Sequence, residues 1–201
     1  MKVNLKKKSI LITGGTGKLG KKICECLAKN GADLIILDRN NPKKFCENLE
    51  RKYSIKTLAF KIDFLDKTKP YDELINQIQS KFKKIDVLIN NAAFVGDEKL
   101  DGWNTRFENQ SIESWRKAIE VNLTAIFELV KVLKKLFNVK KNTSSIINIS
   151  SIYGNIGPNY NLYKNTPINN PAAYAVSKSG LNQLTRWLAS TLAPSIRVNA
   201  I

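Results

Sequence analysis

Tyr174-Ala-Val-Ser-Lys178 sets a phenol and an ammonium four residues apart, on one face of a helix and close to its start. A cation beside a phenol favours the phenolate and lowers its pKa toward working pH, so the pair makes a general acid. Ser151, just beyond the end of an apolar strand, can donate a hydrogen bond to a substrate oxygen that gains charge during reaction. The spacing occurs a second time, in Tyr160 and Lys164 of an Asn-rich loop, so spacing alone does not choose. Tyr174 is chosen because it opens a long helix of apolar period, Ser179-Gly-Leu-Asn-Gln-Leu-Thr-Arg-Trp-Leu-Ala189, which holds it rigidly.

A second chemistry-bearing stretch lies near the N-terminus. In Ser9-Ile-Leu-Ile-Thr-Gly-Gly-Thr-Gly-Lys-Leu-Gly20 a buried-strand signal turns through glycines into an amphipathic helix. Gly14 allows the tight turn, Gly17 lets the backbone approach a pyrophosphate, and Gly20 lets the helix pack on its strand. Lys18 and Leu19 lie at the start of that helix, whose free N–H groups and positive potential suit a dinucleotide phosphate. Asp38 ends the next strand, where a carboxylate accepts hydrogen bonds from ribose hydroxyls and repels a 2′-phosphate, favouring NAD over NADP. Arg39 beside it works the other way, since a guanidinium can pair with that phosphate. Lys178 can then hold the nicotinamide ribose.

The elements that must position these residues alternate. Apolar runs at Ile10–Ile12, Asp33–Leu37, Thr57–Ile62, Val87–Asn90, Ser145–Ser150 and Ile196–Ile201 read as strands. Helical spacing covers Lys18 to Asn30, Pro42 to Tyr53, Tyr71 to Phe82, one long helix from Ser111 to Phe137, and Ala172 to Ala193. The order predicts a single α/β domain over 1–201, a Rossmann-like doubly wound parallel sheet flanked by helices, with its ligand crevice at the strand C-terminal ends. Between Gly96 and Gln110 no period is clear; Trp103 and Phe107 either line a pocket or cover the core.

Composition narrows the function classes. The chain has 201 residues, 43% hydrophobic and 25% charged, enough for one domain with a real core. The net charge of +16 comes from 33 Lys and Arg against 17 Asp and Glu, but the lysines are scattered in ones to threes, Lys140-Lys141 among them, without a basic stripe or interleaved aromatics. A solvated surface is the better reading than a nucleic-acid groove. Three cysteines in no paired spacing suggest neither disulfides nor a metal site, and no segment is long enough for a signal or a membrane span. The expected home is a reducing cytoplasm.

Together the motifs resemble the short-chain dehydrogenases/reductases, over nearly the whole chain. The matches are Thr13-Gly-Gly-Thr-Gly-Lys-Leu-Gly20, Asp63, Asn90-Asn-Ala-Ala93, Asn122 in Val-Asn-Leu-Thr, Ile147-Asn-Ile-Ser-Ser151, Tyr174-x-x-x-Lys178 and Arg197-Val-Asn-Ala200. The resemblance implies NAD(P)-dependent, reversible hydride transfer to or from a carbonyl or alcohol carbon of a small molecule. It makes Tyr174 the proton donor or acceptor, Lys178 its partner, Ser151 the substrate-oxygen donor, and Asn122 the holder of a water in the proton relay. It also sets Asp63 and Phe64 at the adenine and Asn91 and Ala92 at the cofactor ribose, and implies a homodimer or homotetramer built on the two long helices.

Three departures refine this expectation. Lys18 stands where the family's commonest pattern has glycine, giving the Thr-Gly-x-x-Gly-x-x-Gly spacing of a branch rich in sugar-nucleotide enzymes. The loop between Ser151 and Tyr174 is long and sets Asn155 to Asn170 beside the substrate. The chain stops at Ile201, before the family's usual substrate loop and last strand, so a C-terminally incomplete domain is expected. The mixture is similar to reductases of bacterial surface-sugar or flagellin-glycan synthesis. The alternatives are a reductase of acyl, alcohol or steroid-like carbonyl compounds and a non-catalytic dinucleotide-binding regulator.

Overall fold

Apolar runs of four to six residues, buried on both faces, form strands that need helices above and below them. The computed structural model describes residues 3–96, 100–137, 144–166 and 169–201. Residues 1–2, 97–99, 138–143 and 167–168, Lys140 and Lys141 among them, lie outside the described residues. Strands β1 (Ser9–Thr13), β2 (Asp33–Asp38), β3 (Thr57–Lys61), β4 (Val87–Asn90), β5 (Ser144–Asn148) and β6 (Ile196–Ala200) pair in parallel in the order β3-β2-β1-β4-β5-β6. Helices α1 (Lys18–Lys29), α2 (Lys43–Tyr53), α3 (Tyr71–Lys81), α4 (Ile112–Ile119), α5 (Ala125–Leu133) and α6 (Ala172–Leu192) connect them.

Alternation along each strand divides the core. Ile10, Ile12, Leu34 and Ile36 pack with Cys24 and Ala28 of α1 and Cys46 and Leu49 of α2. Leu11, Ile35, Leu88 and Ile146 face the other way, onto Leu74 and Ile78 of α3, Leu129 and Leu133 of α5, and Leu188 and Leu192 of α6. Burying each such side chain stabilises the fold by about 2 kcal/mol. Register follows from this, because a one-residue slip would turn every apolar side chain to the wrong layer; Ile10 sits opposite both Leu34 and Val87.

The predicted helix from Ser111 to Phe137 is not continuous. A π-helical turn over Glu120–Thr124 separates α4 from α5, and a 3₁₀ turn, Lys134–Leu136, ends the run. The apolar spacing persists across the break, so the sequence pattern does not show it. The interruption centres on Asn122, whose fully buried side chain is spent outside its own helix. Among the described residues, no helix is long and apolar enough to cross a membrane.

Candidate active site

Strand order reverses between β1 and β4, whose following loops part there and leave a crevice at the C-terminal ends. The cavity has a volume of about 640 Å³. Asp63 and Phe64 after β3 and Asp38 and Arg39 after β2 line one end, and Gly14, Gly17, Lys18, Leu19 and Gly20 after β1 come next. Asn91 and Ala92 line the middle, and Tyr174 and Lys178 the other end. Twelve residues expected at a cofactor thus share one wall system although they come from four strand ends and α6.

The glycine turn is set by close approach. Gly14 holds φ +65°, and a Cβ there would lie 2.9 Å from the Ala92 Cα. A Cβ on Gly20 would come within 2.1 Å of the Gly14 carbonyl oxygen and 2.9 Å of the Gly15 Cα, so α1 meets its turn backbone on backbone. Gly17 is the N-cap of α1 and no side chain caps it, which leaves first-turn N–H groups for an anion. That uncapped, glycine-lined helix start fits a dinucleotide pyrophosphate.

Asp38 is no solvated loop carboxylate. It is 8% exposed; Oδ2 accepts from the Thr16 N–H at 2.9 Å and Oδ1 from the Asn40 N–H at 3.0 Å. Each oxygen keeps a lone pair for a hydroxyl. Asn91 is turned inward: its Nδ2 donates to the carbonyls of Thr13 (2.9 Å) and Gly14 (3.1 Å) and so braces the glycine turn from β4. Sequence reasoning missed Thr13, whose Oγ1 accepts from the N–H groups of Asn91 (3.1 Å) and Ala92 (2.9 Å) and closes this brace.

At the other end, α6 carries Tyr174 in its first turn and Lys178 one turn on. Lys178 is 2% exposed, its Nζ donates to the Ile149 carbonyl at 2.7 Å and lies 5.8 Å from the centroid of the Tyr174 ring. Burial pulls its pKa down to about 8. Tyr160 and Lys164 share no helix: Tyr160 opens a 3₁₀ turn that ends before Lys164 and is 56% exposed.

Ser151 and Asn122 are not among the residues that line the crevice; Ser151, next to the lining Ser150, is half-buried, and Asn122 is fully buried. Ser151 is the N-cap of a 3₁₀ turn, Ile152–Gly154, its Oγ accepting from the Tyr153 N–H at 3.3 Å, while Ser150 lines the cavity. The Asn122 amide clamps Phe94, taking its N–H at 2.6 Å and donating to its carbonyl at 3.1 Å, and donates to Ser177 Oγ at 3.0 Å. Ser177 in turn donates to the Tyr174 carbonyl at 2.9 Å. Phe94 and Ser177 carried no sequence signal for this role, because it exists only once β4, α4 and α6 meet. Trp103 is 4% exposed and packs edge-on to Phe94 at 5.1 Å, whereas Phe107 is 80% exposed, so of these two aromatics Trp103 takes the core role.

The short chain dehydrogenase family model matches residues 8–201. The chain is 31% identical to the post-translational flagellin modification protein A of Campylobacter coli, over 98% of this chain and 76% of that one. It is also 31% identical to the 3-oxoacyl-[acyl-carrier-protein] reductase FabG of Aquifex aeolicus, over 100% and 75%. Among solved structures, a short chain dehydrogenase from Escherichia coli CFT073 in complex with NADPH superposes with a TM-score of 0.83 at 25% identity, covering 100% of this chain and 78% of that one. With its six-stranded parallel sheet, its glycine turn and its Tyr-x-x-x-Lys helix, the chain belongs to the short-chain dehydrogenase family and is an NAD(P)-dependent oxidoreductase.

Proposed function

We propose that this chain transfers hydride reversibly between NAD(H) and a carbonyl or alcohol carbon of a sugar nucleotide used in surface-polysaccharide or flagellin-glycan synthesis. The observation that carries the chemistry is one crevice lined both by the uncapped glycine turn and by Tyr174 with Lys178. Gly17 to Gly20 would hold the pyrophosphate, Asp38 the adenosine ribose and Lys178 the nicotinamide ribose. The cofactor supplies or accepts the hydride. In the reducing direction Tyr174 Oη gives its proton to the carbonyl oxygen, Lys178 stabilises the phenolate left behind, and Ser151 donates a hydrogen bond to the same oxygen. Asn122 fixes the backbone of Phe94 at the crevice wall and serves a proton relay from behind Tyr174.

The substrate class is supported by the likeness to the Campylobacter protein, by the glycine spacing and by the Asn-rich loop from 155 to 170, whose amides match a hydroxyl-rich ligand. A homodimer or homotetramer in the cytoplasm is part of this reading; Phe127 of α5 and Trp187 of α6, 44% and 54% exposed, are apolar groups such an interface would cover, and three free cysteines suit a reducing compartment. A second cofactor reading, NADP(H), is favoured by Lys18 and Arg39 on the crevice wall and by the NADPH-bound relative. Nicotinamide absorbance followed with a panel of sugar nucleotides, acyl thioesters and steroid ketones tests the proposal. Turnover of a sugar nucleotide that Tyr174→Phe abolishes is expected; turnover that survives Tyr174→Phe, or that occurs only with acyl thioesters, overturns it.

A further inference from the structure

The helix that carries Tyr174 has no cap of its own. Pro171 is its N-cap and offers no side-chain acceptor; its carbonyl takes the Tyr174 N–H at 3.0 Å, but the Ala172 N–H needs an acceptor from outside the helix. Gln110 supplies it from another loop. Its Oε1 accepts the Ala172 N–H at 2.9 Å, and its Nε2 donates to the carbonyls of Asn170 at 3.2 Å and Thr105 at 3.3 Å. Only this amide orientation satisfies one donor and two acceptors at once. Beside it, Asn104 Oδ1 accepts the Asn169 N–H at 2.7 Å, and the buried Trp103 packs with Ala173 and Tyr174. Gln110 also directly precedes Ser111, which caps α4 through the N–H groups of Glu113 and Ser114. The starts of α4 and α6 are therefore fixed to each other.

We propose that Gln110 is a positioning residue for Tyr174, capping α6 from outside and setting the orientation of the phenol relative to Lys178. This rests on the reading of Tyr174 as the proton donor. The effect is confined to the first turn because the rest of α6 is anchored independently: Lys178 on the Ile149 carbonyl, Asn182 on Ser150, Gly154 and Asn155, and Thr185 on Asn148. None of these bonds passes through Gln110, and the glycine turn is braced from β4 by Asn91. Loss of Gln110 should thus lower turnover and leave dinucleotide affinity in place.

Steady-state kinetics, NADH titration and amide hydrogen exchange on Gln110→Leu, Gln110→Glu and Tyr174→Phe, all in the full chain, test this. Gln110→Leu is expected to lower kcat about tenfold, to hold KM and dinucleotide Kd within twofold, and to speed exchange over 172–175 but not over 182–192. Gln110→Glu keeps the acceptor for Ala172 yet faces two carbonyls with a carboxylate, so its kcat falls between wild type and Gln110→Leu. Unchanged exchange over 172–175 in Gln110→Leu overturns the cap, and faster exchange with unchanged kcat overturns the positioning role. If Tyr174→Phe keeps full turnover, the reading of Tyr174 fails and the positioning role with it, whereas the exchange result still decides the cap.

Discussion

Lys178 makes the stability of this fold depend on pH in a direction opposite to that of a buried lysine held in an ion pair. Its ammonium is 2% exposed, and burial lowers its pKa from 10.5 to about 8. Between those values the folded protein binds fewer protons than the unfolded chain, so stability rises with pH across the window and is flat below it. From pH 7 to pH 9 the folded lysine goes from mostly charged to mostly neutral while the unfolded one stays charged. The difference averages about half a proton over two units, or roughly 1 kcal/mol gained. Cys24 and Cys46, raised by burial to about 12 and about 11, act in the opposite sense but only as pH passes the ordinary thiol value of 9.0. Comparing wild type with Lys178→Met cancels them. Urea unfolding at pH 7, 8 and 9 is expected to show the wild type gaining roughly 1 kcal/mol on the variant. A difference that stays constant, or moves against the wild type, would refute the argument that burial depresses the Lys178 pKa.

Further perturbations test the rest of the site. Gly20→Ala puts a Cβ 2.1 Å from the Gly14 carbonyl oxygen, and the glycine turn must shift; NADH titration should show at least a tenfold loss of affinity, equivalent to about 1.4 kcal/mol. Asn122→Ala leaves the Phe94 N–H and carbonyl and Ser177 Oγ without their partner, and thermal or urea unfolding should register about 3 kcal/mol of destabilisation. Asn148→Leu breaks a buried chain in which Asn90 Nδ2 donates to Asn148 Oδ1 and Asn148 Nδ2 to Thr185 Oγ1, and should cost about 2 kcal/mol in the same assay, with little change in dinucleotide affinity.

The strands and their order of burial were legible because Ile10–Ile12, Asp33–Asp38 and Val87–Asn90 are apolar on both faces, which only a covered parallel sheet accepts. The crevice was legible because glycines, Asp38 and the Tyr-x-x-x-Lys pair each fall at a strand end or a helix start. What was not legible depends on contacts between distant segments. The π turn at Asn122 is hidden because Ile119, Leu123, Ile126 and Phe127 keep helical spacing through it, and the cause, the Phe94 backbone, is 28 residues away. The resemblance sets Asn91 at the cofactor ribose, and Asn91 lines the crevice; that its Nδ2 also braces the Thr13 and Gly14 carbonyls appears only in the fold. Gln110 carries no motif at all; its role appears only when the loop before α4 meets the start of α6.

The account stands most directly on what binds in the crevice. Parallel fluorescence titrations of NADH and NADPH against the wild type and Asp38→Asn measure it, since the substitution keeps an acceptor for the Thr16 or Asn40 N–H while removing the charge that repels a 2′-phosphate. Saturable binding is predicted, with NADH tighter than NADPH in the wild type and that preference reduced or reversed in Asp38→Asn. Binding of neither dinucleotide would contradict the crevice assignment, and tighter NADPH binding untouched by Asp38→Asn would contradict the role given to Asp38.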